Sequence, residues 1–319
     1  MKTRIFALLL SLIILPSVIL SAQEGNTRIV VAADGSGDYT TVGEALRKVR
    51  GDFDDPVTIF IKNGVYREKL VVNATVNNLT IEGESPEGTI ISWDDYASLR
   101  NMGTSNTYTC KVEGNNITFR NLTIENAAGP VGQAVAMHTI GDKISFINCR
   151  FLGNQDTLYT GGRNARLYFE DCYIEGTVDF IFGAATAFFN RCHLHGKQDG
   201  YFTAASTAAE NPVGYVFYRC KLTTAPEVKS MYLGRPWRPY ASTYFIECDM
   251  EGNINPKGWN NWGNKENEKT ARYGEYGNKG DGASAAERVT WRKSLTADEA
   301  GQLTNPDYLF NRTSGWKPF

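Results

Sequence analysis

Histidine is scarce in this 319-residue chain, with only His138, His193 and His195. Catalysis or metal capture built on several imidazoles has little to work with, and the three read as structural. There is no surplus of positive charge either: 33 Lys+Arg stand against 35 Asp+Glu, a formal net charge of −2. That balance lacks the basic footprint of a nucleic-acid binder. The six cysteines never form the closely spaced pairs that zinc ligation uses, and no acidic cluster suggests calcium, so no metal and no cofactor is expected. Long amphipathic helical segments are missing from the middle of the chain, which argues against βαβ crossovers. Long apolar runs are confined to the start, MKTRIFALLLSLIILPSVILSA. Lys2 and Arg4 precede an apolar stretch that ends in small residues, the pattern of a secretory signal peptide over residues 1–22. A retained signal-anchor is the alternative. The remaining residues 23–319 read as one domain, a monomer with no membrane segment, secreted or periplasmic.

What the chain does have is a repeat. Five cysteines share one frame: FINCRF (146–151), FEDCYI (169–174), FNRCHL (189–194), FYRCKL (217–222) and FIECDM (245–250), with FRNLTI (119–124) carrying Leu122 in the Cys position. The leading phenylalanines, 119, 146, 169, 189, 217 and 245, are 27, 23, 20, 28 and 28 residues apart. Short β-rich units at that period signal a solenoid. The expected fold is all-β, a right-handed parallel β-helix whose equivalent positions stack about 4.8 Å apart. Its open ends need covers. TVGEALRKV starts with Thr41 and has Glu44 three residues on, a capping box on a helix with Val42, Ala45, Leu46 and Val49 along one face. Thr296 and Glu299 make a second such box in a C-terminal tail, and polar, Gly-rich residues 263–284 read as a long loop. The cysteines become an interior ladder. Cys172 and Cys192, one short coil apart in a chain expected to meet oxidant, are candidates for a disulfide.

The phenylalanines also serve as a ruler. Asp156 and Asp179 each lie 10 residues after one, Phe146 and Phe169. In a shared register they form one column on adjacent rungs. Asp199, 10 residues after Phe189, would extend the column by a third acid that repels negative charge at one end of it; a solvated turn in KQDG is the simpler reading. Gln155 precedes Asp156, and Gln133 lies 22 residues before Gln155. Two close carboxylates drive their pKa values apart, so one holds a proton while the other is charged. Amide donors beside them suit a developing oxyanion, and the set suggests acyl transfer or ester hydrolysis. Asp179 sits in the apolar run GTVDFIFG (176–183), where an unpaired charge is costly.

These residues fall inside motifs that resemble those of the pectin methylesterases (carbohydrate esterase family 8). GSGDYTTVGEAL (35–46), IKNGVYREKL (61–70), GPVGQAVAM (129–137), FLGNQDTLYT (151–160), GTVDFIFG (176–183) and YLGRPWRPYAST (232–243) occur in that family's order. The resemblance implies hydrolysis of galacturonate methyl esters in pectin, releasing methanol. It implies Asp179 as nucleophile, Asp156 as general acid then base, Gln133 and Gln155 as oxyanion donors, and Arg235 as the partner that keeps Asp179 charged. Trp237 would stack on sugar; Tyr159, Val178 and Phe182 would line the groove, and Thr109 would touch substrate. A polygalacturonase could also use two carboxylates, but the flanking amides favour an ester carbonyl. A β-helical binding module would need neither Gln133 nor Asp179.

Overall fold

The computed structural model describes residues 27–49, 56–310, 316 and 318. The proposed leader over residues 1–22 lies outside them. Three sheets of eleven, eight and seven strands run the length of the molecule, and every strand pairing is parallel. Seven successive coils each contribute one strand to each sheet, as in a right-handed parallel β-helix, and the end coils add strands to the larger sheets only.

The Phe frame has a backbone cause. In each coil the second residue after the phenylalanine, Asn121, Asn148, Asp171, Arg191, Arg219 or Glu247, has φ of +52° or +53°. One left-handed residue turns the chain sharply from the first sheet to the second. Phe and the Cys three residues later then both face inward. The six phenylalanines pair in register and stack with centroids 5.1, 4.7, 4.4, 4.4 and 4.6 Å apart, all fully buried. Such pairs add about 0.5–1.5 kcal/mol each beyond the area they bury.

The cysteines form the expected dry ladder, but the expected Cys172–Cys192 disulfide does not form: all six thiols are free and buried. Equivalent residues on neighbouring parallel rungs hold their Cα–Cβ bonds side by side rather than converging, which a disulfide needs. The thiols instead bond backbone carbonyls, Cys172 to Phe146 at 3.4 Å and Cys248 to Phe217 at 3.3 Å.

The N-terminal cover is as the sequence suggests. Helix α1 (Val42–Lys48) buries Val42, Ala45 and Leu46, and the Thr41 hydroxyl caps Glu44 N–H. Glu68 adds a cap the sequence did not reveal, accepting from the Val42 and Gly43 amides at 2.8 Å each. The stretch 263–284 is more ordered than a loop. It contains helix α2 (Glu266–Thr270) and a strand, Arg272–Tyr276, that pairs in register with Ser242–Ile246. Its short alternation buries Tyr273 against Trp259, at 4.4 Å between ring centroids. Helix α3 (Ala297–Leu303) has the full Thr296–Glu299 capping box, and helix α4 (Pro306–Phe310) follows it. Both lie on the outer face of the eleven-stranded sheet, against Tyr168, Phe188, Val216 and Tyr244. They cover a flank rather than an end.

The free-thiol ladder has a direct test. Alkylation in denaturant without reductant should add six labels per chain, and native protein should take almost none because every sulfur is buried. Four labels after denaturation would restore the disulfide.

Candidate active site

The seven-stranded sheet carries the site on its outer face. Register places Lys111, His138, Tyr159, Phe182 and Ala204 on successive rungs. His138 stacks on Tyr159 at 4.2 Å, and Tyr159 on Phe182 at 4.3 Å. Tyr159, Phe182 and Ala204 floor a cleft of about 530 Å³ whose walls include Gln133, Gln155, Asp156, Asp179, Arg235 and Trp237. Burial pushes the His138 pKa down to about 4, so the ring is neutral at ordinary pH. His193 and His195 lie on a different sheet and share the Thr223 hydroxyl. Among the described residues no group of three His, Cys, Asp or Glu could hold a metal ion.

The two acids sit at the entrance to their strands. Leu158 pairs with Ile181, so Asp156 and Asp179, each two residues earlier, occupy equivalent positions on neighbouring rungs. The ruler therefore holds for this pair. Asp179 is not inside a strand, as its apolar neighbours suggest; the strand begins at Ile181. Asp156 has φ +66° and Asp179 +53°. That left-handed turn is open to aspartate more readily than to bulky residues. Gln133 forms a parallel bridge with Gln155 one rung on. The two amides thus stand beside the two acids.

Arg235 is the company that Asp179 keeps. Its Nε and Nη2 donate to Asp179 Oδ1 and Oδ2 at 2.8 and 2.7 Å, a two-bond fork. Asp156 makes no ion pair among the described residues. Burial, and then the Asp179 charge, raise its pKa to about 8, with Arg235 opposing. Burial raises Asp179 too, but the Arg235 fork holds it back. The Arg235 guanidinium itself is desolvated, and the Asp179 contact overcomes that to strengthen its hold on the proton. The arrangement thus favours the proton on Asp156 and the charge on Asp179, which is locked to a cation.

Three expectations need correction. Thr109 is fully buried, its hydroxyl donating to the Glu125 carbonyl at 2.7 Å, so it cannot reach substrate; Thr104 and Ser105 line the cleft instead. The Val178 side chain does not line the cavity; its carbonyl accepts from Asp156 N–H at 3.1 Å. Asp199 does not continue the acid column. Ile181 pairs with Thr203, which puts Tyr201 opposite Asp179. Two extra residues precede that strand, and Asp199 serves the turn by accepting from the Lys229 and Ser230 amides at 2.7 and 3.0 Å. Trp262 also lines the cleft and was not anticipated. A lone tryptophan in the polar stretch NNWGN was the available signal.

The family model described as Pectinesterase matches residues 28–312. Over 296 residues the chain is 41% identical to Pectinesterase 31 of Arabidopsis thaliana, covering 89% of this chain and 92% of that protein. The fold is similar to a pectin methylesterase from carrot, with a TM-score of 0.84 and 34% identity over 89% of this chain and 92% of that one. It is also similar to a pectin methylesterase solved in complex with a hexasaccharide, with a TM-score of 0.78 and 29% identity over 91% and 98%.

Asp156 generates a stability prediction. A carboxyl whose folded pKa lies above its unfolded value favours the fold fully below the unfolded value and loses that contribution as pH rises through the folded one. For Asp156 the window runs from about 4, the unfolded value, to about 8. Asp156→Asn should therefore gain Tm over the parent steadily as pH is raised across that window. A Tm difference independent of pH would contradict the assignment.

Proposed function

The chain belongs to the pectinesterase family of carboxylic ester hydrolases, and on that premise we propose that it removes methyl esters from galacturonate units of pectin by an acyl-enzyme route. The observation that carries the residue assignment is the asymmetry of the acid pair: Asp179 is forked to Arg235, and Asp156 is buried beside it without a cation of its own.

In the first half-reaction the Asp179 carboxylate attacks the ester carbonyl carbon. The carbonyl oxygen takes the electron pair, and the Gln133 and Gln155 amides donate to it. Collapse of the tetrahedral adduct breaks the bond to methoxide, which leaves as methanol with the Asp156 proton. An acyl-aspartate remains, with Asp156 now a carboxylate. It takes a proton from water as the water attacks the acyl carbon, and the Asp179 oxygen departs. The products are the galacturonic carboxyl group, which sheds the second proton of the water to solvent and becomes a carboxylate, ionised Asp179 and reprotonated Asp156. Arg235 keeps Asp179 charged until it attacks and stabilises it again as it departs. Trp237, packed near Tyr159 and Phe182 with centroids 6.4 and 5.8 Å away, offers a face for the sugar ring. The mechanism calls on no cofactor.

The family match covers one continuous unit, in keeping with a single catalytic domain over residues 23–319. No helix among the described residues is long and apolar enough to cross a membrane. Export by the leader at residues 1–22, to the periplasm or outside the cell, would bring the enzyme to its polymer, where it acts as a monomer.

Incubation with methylated pectin should release methanol without shortening the chain or creating unsaturated ends; depolymerisation would point to a glycosidase or lyase instead. Asp179→Ala should lose several decades of kcat while remaining folded. Gln133→Ala should lose roughly 10² to 10³ in kcat with little change in KM; a loss confined to KM would make Gln133 a binding residue. The pH profile should be bell-shaped, falling on the basic side as Asp156 loses its proton through about 8. Arg235→Lys keeps the charge but loses the fork, so the acidic limb should move to higher pH as Asp179 protonates more easily. An unmoved limb would count against the pairing.

A further inference from the structure

Arg235 does more than face Asp179. Its guanidinium carbon lies 3.9 Å from the centroid of the Tyr201 ring and 3.8 Å from that of Trp262. Two rings that close to one carbon must stand on different sides of it, since they cannot interpenetrate. The cation is thus enclosed between aromatic faces while its edge forks the carboxylate.

Both rings are held in place by their surroundings. Tyr201 is the residue that register sets opposite Asp179 on the next rung, and it stacks on Tyr232 at 5.3 Å. Trp262 has φ +61°, a left-handed backbone that a bulky residue adopts only under constraint. The constraint is visible. Trp262 N–H donates to Asn260 Oδ1 at 2.7 Å, and Gly263 N–H to Asn261 Oδ1 at 2.9 Å. The buried Asn267 amide donates to the Asn261 carbonyl at 3.1 Å and the Pro236 carbonyl at 3.5 Å. It ties the Trp262 loop to the residue that follows Arg235.

We infer that Tyr201 and Trp262 form an aromatic clamp on Arg235, and that they act as positioning residues for the nucleophile through it. The inference rests on the assignment of Asp179 as nucleophile. A guanidinium stacked on aromatic faces gains from the ring quadrupoles and loses competing water. Freed of either ring, Arg235 can swing toward solvent, and Asp179 keeps its burial while losing part of its compensation. The ionisable groups that face Asp179 are Asp156 from the preceding rung, Arg235, Tyr201 and, at longer range, the buried Tyr273. Of these, only Arg235 supplies positive charge.

Tyr201→Ala should lower kcat about 10-fold or more. It should also move the acidic limb of the kcat profile up by about half a pH unit or more. Tyr201→Phe, which keeps the ring, should recover most of both. Trp262 lines the cleft, so Trp262→Ala should raise KM as well, yet it should shift the limb in the same direction, with Trp262→Phe restoring it. Trp262 is partly exposed on a loop, so its variant keeps the test open if Tyr201→Ala does not fold. Unmoved acidic limbs in the alanine variants that fold would overturn the clamp, as would equal losses in Tyr201→Ala and Tyr201→Phe. Asp179→Ala, run alongside on the same methylated pectin, separates the two failures: if it stays active, the nucleophile assignment falls first.

Discussion

In-register stacking of parallel strands puts like positions of successive coils within about 5 Å of each other, and everything in this molecule inherits that spacing. It packs six phenylalanines into one column and five of the six thiols into another. It also sets Asp156 beside Asp179 and Gln133 beside Gln155. The site is thus a ladder whose rungs happen to be reactive. Buried like charges are usually costly. Here the cost is divided unequally: one acid holds its proton and the other borrows a guanidinium. That inequality is the division of protonation states that the proposed proton donor and nucleophile require.

The legible parts of the sequence were those that repeat. Phe-x-x-Cys recurs because a left-handed corner two residues after each Phe forces both side chains inward, so the frame reports real geometry. The same frame located Asp156, Asp179 and, through coil length, Gln133 and Gln155. Arg235 and Trp237 came instead through family resemblance, because they lie on a later coil with no frame-based link to the acids. Both nonetheless line the cleft.

The misreadings share a cause. A ruler anchored on one sheet predicts another only if the intervening turn keeps its length. Between Phe189 and the strand at Gly200–Ala205 the turn gains two residues, so Asp199 falls short and Tyr201 takes its place. Thr109 was expected at the substrate from resemblance alone, and its hydroxyl proves to be spent on the Glu125 carbonyl. The strand at Arg272–Tyr276 is hidden among glycines and charges, and becomes a strand because Ser242–Ile246 offers an open edge. Trp262 is positioned by local bonds to asparagine side chains and by the tie from Asn267 to Pro236, which leave no periodic trace.

The two-residue lengthening before Gly200 has a wider meaning. Side chains along a strand alternate between faces with a period of two. Adding an even number of residues to a turn therefore keeps inward residues inward while sliding a different side chain up to its neighbours on the next coil. An odd number would turn the core outward. A solenoid of this kind can exchange the groups around a reactive carboxylate by changing loop length alone, in steps of two, with no substitution at the exchanged positions. Variation among such enzymes then lies as much in the parity of their turns as in the identity of their residues.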